Sequence, residues 1–293
     1  MSAMIAVVFT NPFDCVKTRM QLQGELMKKD SQLQRRYANT LDCGRKTFEV
    51  EGIRGLQRGL STAIVREAVL NCFRVGAFEP ILSVIHTDGT SPPAYKRMLA
   101  GLCSGMTAAF ASNPLDLLKV RMQAQAEGAN ASVGYQHGHT GFISGQIRIF
   151  QEEGVRGAWR GASASVLRLG AGSASQLTVY SSLKEHLVGD GCADGPRIHV
   201  LCSVVAVFAG TLCMQPFDVV RTRVMNQAFD AQGRGLLYAS PVDCCIQTVR
   251  SEGPAALYKG FAAHYLRGAP HVTLLFVILE QFKKYRPLDM LHT

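Results

Sequence analysis

No two of the nine cysteines are spaced as a metal-binding pair would be, and the one adjacent pair, Cys244-Cys245, is poorly placed to bridge. All nine read as reduced packing residues, which removes a disulfide scaffold and a zinc module together. Residues 1–11 carry no basic segment ahead of their apolar run, so no cleavable signal peptide is visible. No nucleophile–base set and no metal cluster can be assembled; the chain does not read as an enzyme and calls for no cofactor. Charge is missing from whole stretches. Residues 98–115 and 198–217 hold no Asp, Glu, Lys or Arg, and the second run is long enough to span a bilayer, which takes about 20 residues.

The totals decide less. At 293 residues the chain could form two ordinary domains or one membrane bundle, and a mean hydropathy of +0.08 fits both. A net charge of +9 suits nucleic acid, anionic lipid or an anionic substrate.

What is present is a stretch written three times: Pro12-Phe13-Asp14-Cys15-Val16-Lys17-Thr18-Arg19, Pro114-Leu115-Asp116-Leu117-Leu118-Lys119-Val120-Arg121, and Pro216-Phe217-Asp218-Val219-Val220-Arg221-Thr222-Arg223. The copies recur at intervals of 102 residues, above the period of solenoid repeats, so each heads a multi-helix module. A second stretch follows each copy: Glu51-Gly52 with Arg58-Gly59, Glu153-Gly154 with Trp159-Arg160-Gly161, and Glu252-Gly253 with Tyr258-Lys259-Gly260. Repeats are expected over 1–91, 92–190 and 191–293.

Within them, long helices are expected at about 60–85, from 95 through the second motif, at 162–187, from about 197 through the third motif, and at 261–285. Shorter amphipathic helices fall at about 40–50 and 141–152. The run before Pro12 is too short to span, so by internal comparison the first helix lacks roughly two turns, as a misassigned start codon or a truncated form would produce. Polar loops at 24–38 and 126–140 lie on one side, and turns at 88–93 and 189–196 on the other. Lysine and arginine concentrate on the long-loop side, as insertion from that side requires.

Each motif proline removes a backbone bond and kinks a helix that a membrane bundle can tolerate. Asp14, Lys17 and Gln21 lie at i, i+3 and i+7 on one helix face, as do Asp116, Lys119 and Gln123. Buried charges need partners. Threefold pseudosymmetry lets each acid meet the base of the next repeat, pairing Asp14 with Lys119, Asp116 with Arg221 and Asp218 with Lys17; three local i,i+3 pairs are the alternative. Seven residues after Gly59, Gly161 and Gly260 come Arg66, Arg168 and Arg267. Arginines in apolar helices should face a water-filled cavity, where a guanidinium fork matches carboxylate, sulfate or phosphate oxygens; snorkelling to the surface is the alternative. Arg74 and Gln176, eight residues further on, share that face broadly.

These residues resemble the mitochondrial carrier family, over nearly the whole chain and all three repeats. The resemblance implies an all-α membrane protein: six tilted transmembrane helices plus three short matrix helices, in the pseudo-threefold mitochondrial carrier fold. It implies a multi-pass protein of the mitochondrial inner membrane that binds cardiolipin, works as a monomer and moves a small anionic metabolite by alternating access. In the family the Asp–Lys/Arg ring is the matrix gate, with a glutamine brace matched here by Gln21 and Gln123 and replaced by Met225 in the third repeat. The opposite, cytoplasmic gate is degenerate, keeping Glu79, Lys184, Glu280 and Lys283. The three arginine positions are the family's substrate contacts. The pair Arg168-Leu169 differs from nucleotide carriers, and the run 167–176 is most similar to the oxaloacetate/sulfate carrier subgroup. Oxaloacetate, related dicarboxylates and sulfate are the substrates this implies. An uncoupling-type proton conductor is not separated from a dicarboxylate exchanger by three arginines. A soluble basic repeat protein binding nucleic acid would need its basic residues on solvated stripes.

Overall fold

The computed structural model describes residues 2–25, 37–87, 93–126, 134–139, 141–189, 195–230 and 234–266. They form α1 (Ser2–Leu22), α2 (Thr40–Leu56), α3 (Leu60–Ile85), α4 (Ala94–Ala124), α5 (Phe142–Ala158), α6 (Ala162–Gly189), α7 (Pro196–Asn226) and α8 (Pro241–Glu252). A 3-10 turn (Pro254–Tyr258) and a helical start at 261–266 follow. The order long, short, long recurs. The turns at 88–92 and 190–194, most of both polar loops, and the last helix with Arg267, Glu280 and Lys283 lie outside the described residues.

The long helices match the sequence reading closely, with α3 spanning Leu60–Ile85. The first long helix has 21 residues against 31 each in α4 and α7. The short helices differ. Sequence patterning ends them near 50 and 152, whereas α2 and α5 continue to Leu56 and Ala158 across an internal break. The break is at Gly52 (φ 63, ψ −159) and Gly154 (φ 67, ψ −173), and Gly253 (φ 86, ψ 165) ends α8 in the same conformation. That region is open only to glycine, so the chain turns sharply and one more helical turn forms beyond it.

The turn leads into Gly59, Gly161 and Gly260, all left-handed, and then into the next long helix. Its open carbonyls are held by the residue just before each motif proline. Asn11 Nδ2 donates to Leu56 O and Arg58 O, Asn113 Nδ2 to Ala158 O and Arg160 O, and Gln215 Nε2 to Lys259 O. The proline helix and the glycine turn of each repeat are thereby tied together.

α3 lies along α4 and α6 along α7, while α1, α4 and α7 touch one another pairwise. The α6–α7 contact is close because it runs through glycines. A Cβ built on Gly210 would meet Gln176 Cβ at 3.1 Å and Gly172 O at 3.2 Å. Small residues allow such approach between membrane helices. The distribution of polarity is inverted relative to a water-soluble core. Arg19, Arg121 and Arg223 are fully buried, while Val75 (72% exposed), Val84 (80%) and Phe9 (73%) point outward. Two of the described helices, Leu60–Ile85 and Ile198–Asn226, are long and apolar enough to cross a membrane.

Gly210→Leu should therefore push α6 and α7 apart, an overpacking cost of about 1–3 kcal/mol. Thermal unfolding in detergent should show a clear drop in Tm, and an unchanged Tm would mean the helices are not held at this distance.

Candidate functional site

Three ion pairs join the proline helices in a cycle. Lys119 Nζ lies 2.7 Å from Asp14 Oδ2, Arg221 Nη2 lies 2.9 Å from Asp116 Oδ2, and Lys17 Nζ lies 2.6 Å from Asp218 Oδ2. All six side chains are buried or nearly so. Each acid and base share one face of their own helix, yet each ion pair crosses to the neighbouring helix.

The two glutamines sit differently. Gln21 Nε2 donates to Asp218 Oδ2 at 2.7 Å, and Thr222 Oγ1 donates to Gln21 Oε1 at 2.7 Å, so Gln21 fastens the Lys17–Asp218 pair. Gln123 donates instead to Asn11 Oδ1 and accepts from Thr18 Oγ1, joining α4 to α1 through neutral groups. Met225, in the third position, is fully buried and packs at Gly161.

At the ring is a cavity of about 130 Å³, lined by the six ring residues and by side chains on either side of them. Among the described residues its lining includes five cations (Lys17, Arg66, Lys119, Arg168, Arg221) and three carboxylates (Asp14, Asp116, Asp218), an excess of two positive charges with His264 counted neutral. Arg66 Nε donates to Asp116 Oδ1 at 2.9 Å, and its Nη1 reaches Glu67 Oε2 at 2.9 Å. Arg168 Nε stands 3.6 Å from Asp218 Oδ1, too far for a hydrogen bond, and is buried without one. Leu169 is turned away, with Cδ2 against Gly105 of α4. Arg74 and Gln176 do not line the cavity; Gln176 packs at Gly210. No ion pair between Glu79 and Lys184 occurs among those of the described residues.

Sequence reasoning missed a second layer of charge beneath the ring. The last arginine of each motif is buried and gripped by the acid of the following Glu-Gly. Arg19 holds Glu51 through two bonds of 2.6 and 2.9 Å, Arg223 holds Glu252 through two of 2.6 and 2.9 Å, and Arg121 pairs with Glu153. A second base closes each bracket: Arg58 at 3.1 Å, Arg160 at 2.8 Å and Lys259 at 2.6 Å. The same arginines donate Nε across the repeat boundary, to Gln123 O, Met225 O and Gln21 O. Two charge-assisted bonds from a planar fork fix direction as well as distance. The signal was present, since both halves of the bracket recur with the repeat.

At the end of this layer Glu25 is mostly buried beside Arg223, Glu252 and Lys259. Burial pushes its carboxyl up to about 7, against the pull of Arg223 and Lys259. His137, whose Nε2 lies 3.0 Å from Asn226 O, is held down to about 3 by burial and by the nearby Arg121.

The chain matches the family described as Mitochondrial carrier protein over residues 1–89, 90–191 and 194–288. It is similar to the mitochondrial oxaloacetate transport protein of Saccharomyces cerevisiae, 39% identical over 292 residues covering 97% of this chain and 87% of that one. Human solute carrier family 25 member 35 is 38% identical over 284 residues, covering 95% and 93%. Mitochondrial citrate transporter E of Aspergillus niger is 35% identical over 284 residues, covering 95% and 89%.

The raised carboxyl of Glu25 gives a pH test. Its ordinary value is 4.5 and its folded value about 7, so the folded state keeps a proton that the unfolded chain releases. The stabilisation is complete below 4.5 and is lost as pH rises through 7, amounting to about 1–3 kcal/mol. His137, held down to about 3, acts in the opposite sense below its ordinary 6.5, so the difference is what reads Glu25: wild-type Tm should fall relative to that of Glu25→Gln, neutral throughout, as pH rises from 4.5 to about 7. Identical slopes would place the titration elsewhere.

Proposed function

The chain belongs to the mitochondrial carrier family, and from that premise we propose that it carries a small dianion, of the oxaloacetate or related dicarboxylate and sulfate class, by alternating access. Family members of this kind are transporters of the mitochondrial inner membrane, not enzymes. The observation that carries the substrate class is the cationic lining of the cavity, five cations against three carboxylates, which favours an anion. Arg168 adds a buried donor without a hydrogen-bond partner, the kind of group a carboxylate or sulfate oxygen satisfies. Relatives named for oxaloacetate transport point to the same class, and one named for citrate points to a small carboxylate more broadly.

In this reading 1–91, 92–190 and 191–293 are three repeats supplying six tilted spanning helices. The cycle of Asp14–Lys119, Asp116–Arg221 and Asp218–Lys17 is the matrix gate, closed here, with Gln21 as a brace; Gln123 acts on α1 through Asn11. Glu79, Lys184, Glu280 and Lys283 form the opposite gate. Arg66, Arg168 and Arg267 receive the anion, while Leu169, Arg74 and Gln176 shape the walls. Substrate entering from the open side is held at the closed ring, the ring then breaks, and the opposite pairs form. Buried ion pairs suit a gate because desolvation cancels much of their attraction, leaving little net stability to overcome. The cycle of ion pairs closes within one chain, so a monomer suffices. The outward apolar side chains of the short helices, Leu41, Ile143 and Val242 among them, suit a lipid contact, for which cardiolipin is the expected lipid.

Uptake into liposomes containing the purified protein, against a panel of oxaloacetate, malate, malonate, sulfate and nucleotides, tests the proposal. Dianions should be carried and nucleotides refused; a nucleotide preference would overturn it. Arg168→Lys should raise the Km for dicarboxylates by roughly ten- to a hundredfold, the worth of a charge-assisted pair, with a milder effect on sulfate. Unchanged transport would remove Arg168 from the site. Exchanging Asp14 and Lys119 should preserve more uptake than either single charge loss, because the exchange restores the attraction across the gate.

A further inference from the structure

Beyond the ring, a line of bonds crosses the seam between the first repeat and the third. Arg223 Nε donates to Gln21 O at 3.2 Å, and Lys259 Nζ donates to Gln23 O at 2.7 Å. Glu25 comes next, and the charged and titratable groups around it all belong to the third repeat. They are Arg223 of α7, Tyr238 ahead of α8, Cys244 and Glu252 of α8, and Lys259 after the 3-10 turn. Both bases are already engaged by Glu252, which accepts two bonds from Arg223 and one from Lys259. Glu25 Oε1 is buried and has no hydrogen-bond partner. Two carboxyls at one buried site do not both ionise readily, and the one with fewer donors keeps the proton. The raised value of Glu25 agrees with that geometry. Thirteen residues after each motif proline come Glu25, Glu127 and Phe229. Phe229 lies against Arg160 of the second repeat, with the guanidinium 3.6 Å over its ring, as Glu25 lies beside Lys259 of the third; Glu127 is outside the described residues. An aromatic ring fills that place at one seam and a titratable acid at another.

We propose that Glu25 is a proton-binding site of the closed seam, taking up a proton when the first and third repeats close together and releasing it to water when they part. The inference rests on the transport reading above, which supplies the parting, and it concerns a side chain outside both the cavity and the ring. When the seam opens, Glu25 leaves Glu252 behind and enters water as an ordinary carboxylate, its O–H bond breaking as the proton passes to solvent. A group that binds a proton in one arrangement and not in the other makes the balance between them depend on pH. The raised value fixes the sign. Closure has its full benefit below the ordinary 4.5 and loses it as pH rises through about 7. Acid on the long-loop side therefore holds the seam shut and alkali lets it part, by at most about tenfold per pH unit for one proton.

The full-length protein in liposomes tests this, at equal pH on both sides from about 5 to about 8, with sulfate because it stays a dianion over that range. Deuterium exchange over residues 17–25, corrected for the intrinsic pH dependence of amide exchange, reads the parting of the seam, and labelled sulfate uptake reads transport. The ratio of wild type to Glu25→Gln, which stays neutral, should rise roughly three- to tenfold in both readings as pH goes from 5 to 7, and level off above. Groups that titrate alike in both proteins cancel in that ratio. Glu25→Asp still titrates and should follow wild type, which a merely structural role would not require. Glu25→Ala takes the place of Glu25→Gln should the latter fold poorly. A ratio that stays constant with pH would overturn the proton site while leaving transport intact. Wild-type protein that takes up neither sulfate nor oxaloacetate at any pH would overturn the transport reading and this inference with it.

Discussion

Charge buried between helices must be matched by charge, and in this protein the match is made between helices. An unpaired Asp or Lys in a membrane interior is costly, so α1, α4 and α7 stay together as long as Asp14, Asp116 and Asp218 stay paired. The cavity at the ring is lined by those pairs. The brackets below, Arg19–Glu51, Arg121–Glu153 and Arg223–Glu252, hold each proline helix to its own short helix and reach across to the next repeat. Large apolar side chains such as Phe9, Val75 and Val84 are turned outward.

The three repeats are alike in plan and unlike in detail. Arg19 and Arg223 each donate to a threonine, Thr47 and Thr248. Ile149 stands at the corresponding place in the second repeat, where Arg121 keeps a buried Nη2 without a partner. Arg160 of that repeat lies 3.6 Å over the Phe229 ring, while the corresponding Lys259 lies near Glu25. Met225 takes the place of the third glutamine. The second and third repeats thus join through softer contacts than the third and first, and a machine that opens need not open equally at each seam.

Much of this was legible in the sequence, for a reason specific to repetition. A motif written three times in register limits which acid can meet which base to two arrangements, a cross-repeat ring or three local i,i+3 pairs, and the structure shows the ring. Helix extents were equally plain where glycine turns and charge-free runs bounded them, as with α3. The brackets were not read, because the Arg19–Glu51 contact crosses from one helix to another and helix spacing says nothing about that. Orientation was the other gap. Leu169 is about 100° round the helix from Arg168, and Arg74 and Gln176 lie about 80° round and about 12 Å along from Arg66 and Arg168, which turns them toward Gly105, the surface and Gly210. Gln123 reaches Asn11 rather than an ion pair because the residue before the proline competes for it.

The ring joins the beginning of the chain to its end. Gln21 and Asp218 are 197 residues apart in sequence. Loop-closure entropy makes so distant a contact late to form. Until α7 has been made, the Lys17–Asp218 pair that closes the cycle cannot form. Assembly is therefore all or nothing in a way that a row of independent helices is not. A chain stopped within the third repeat is a species for quality control to remove, not a smaller channel.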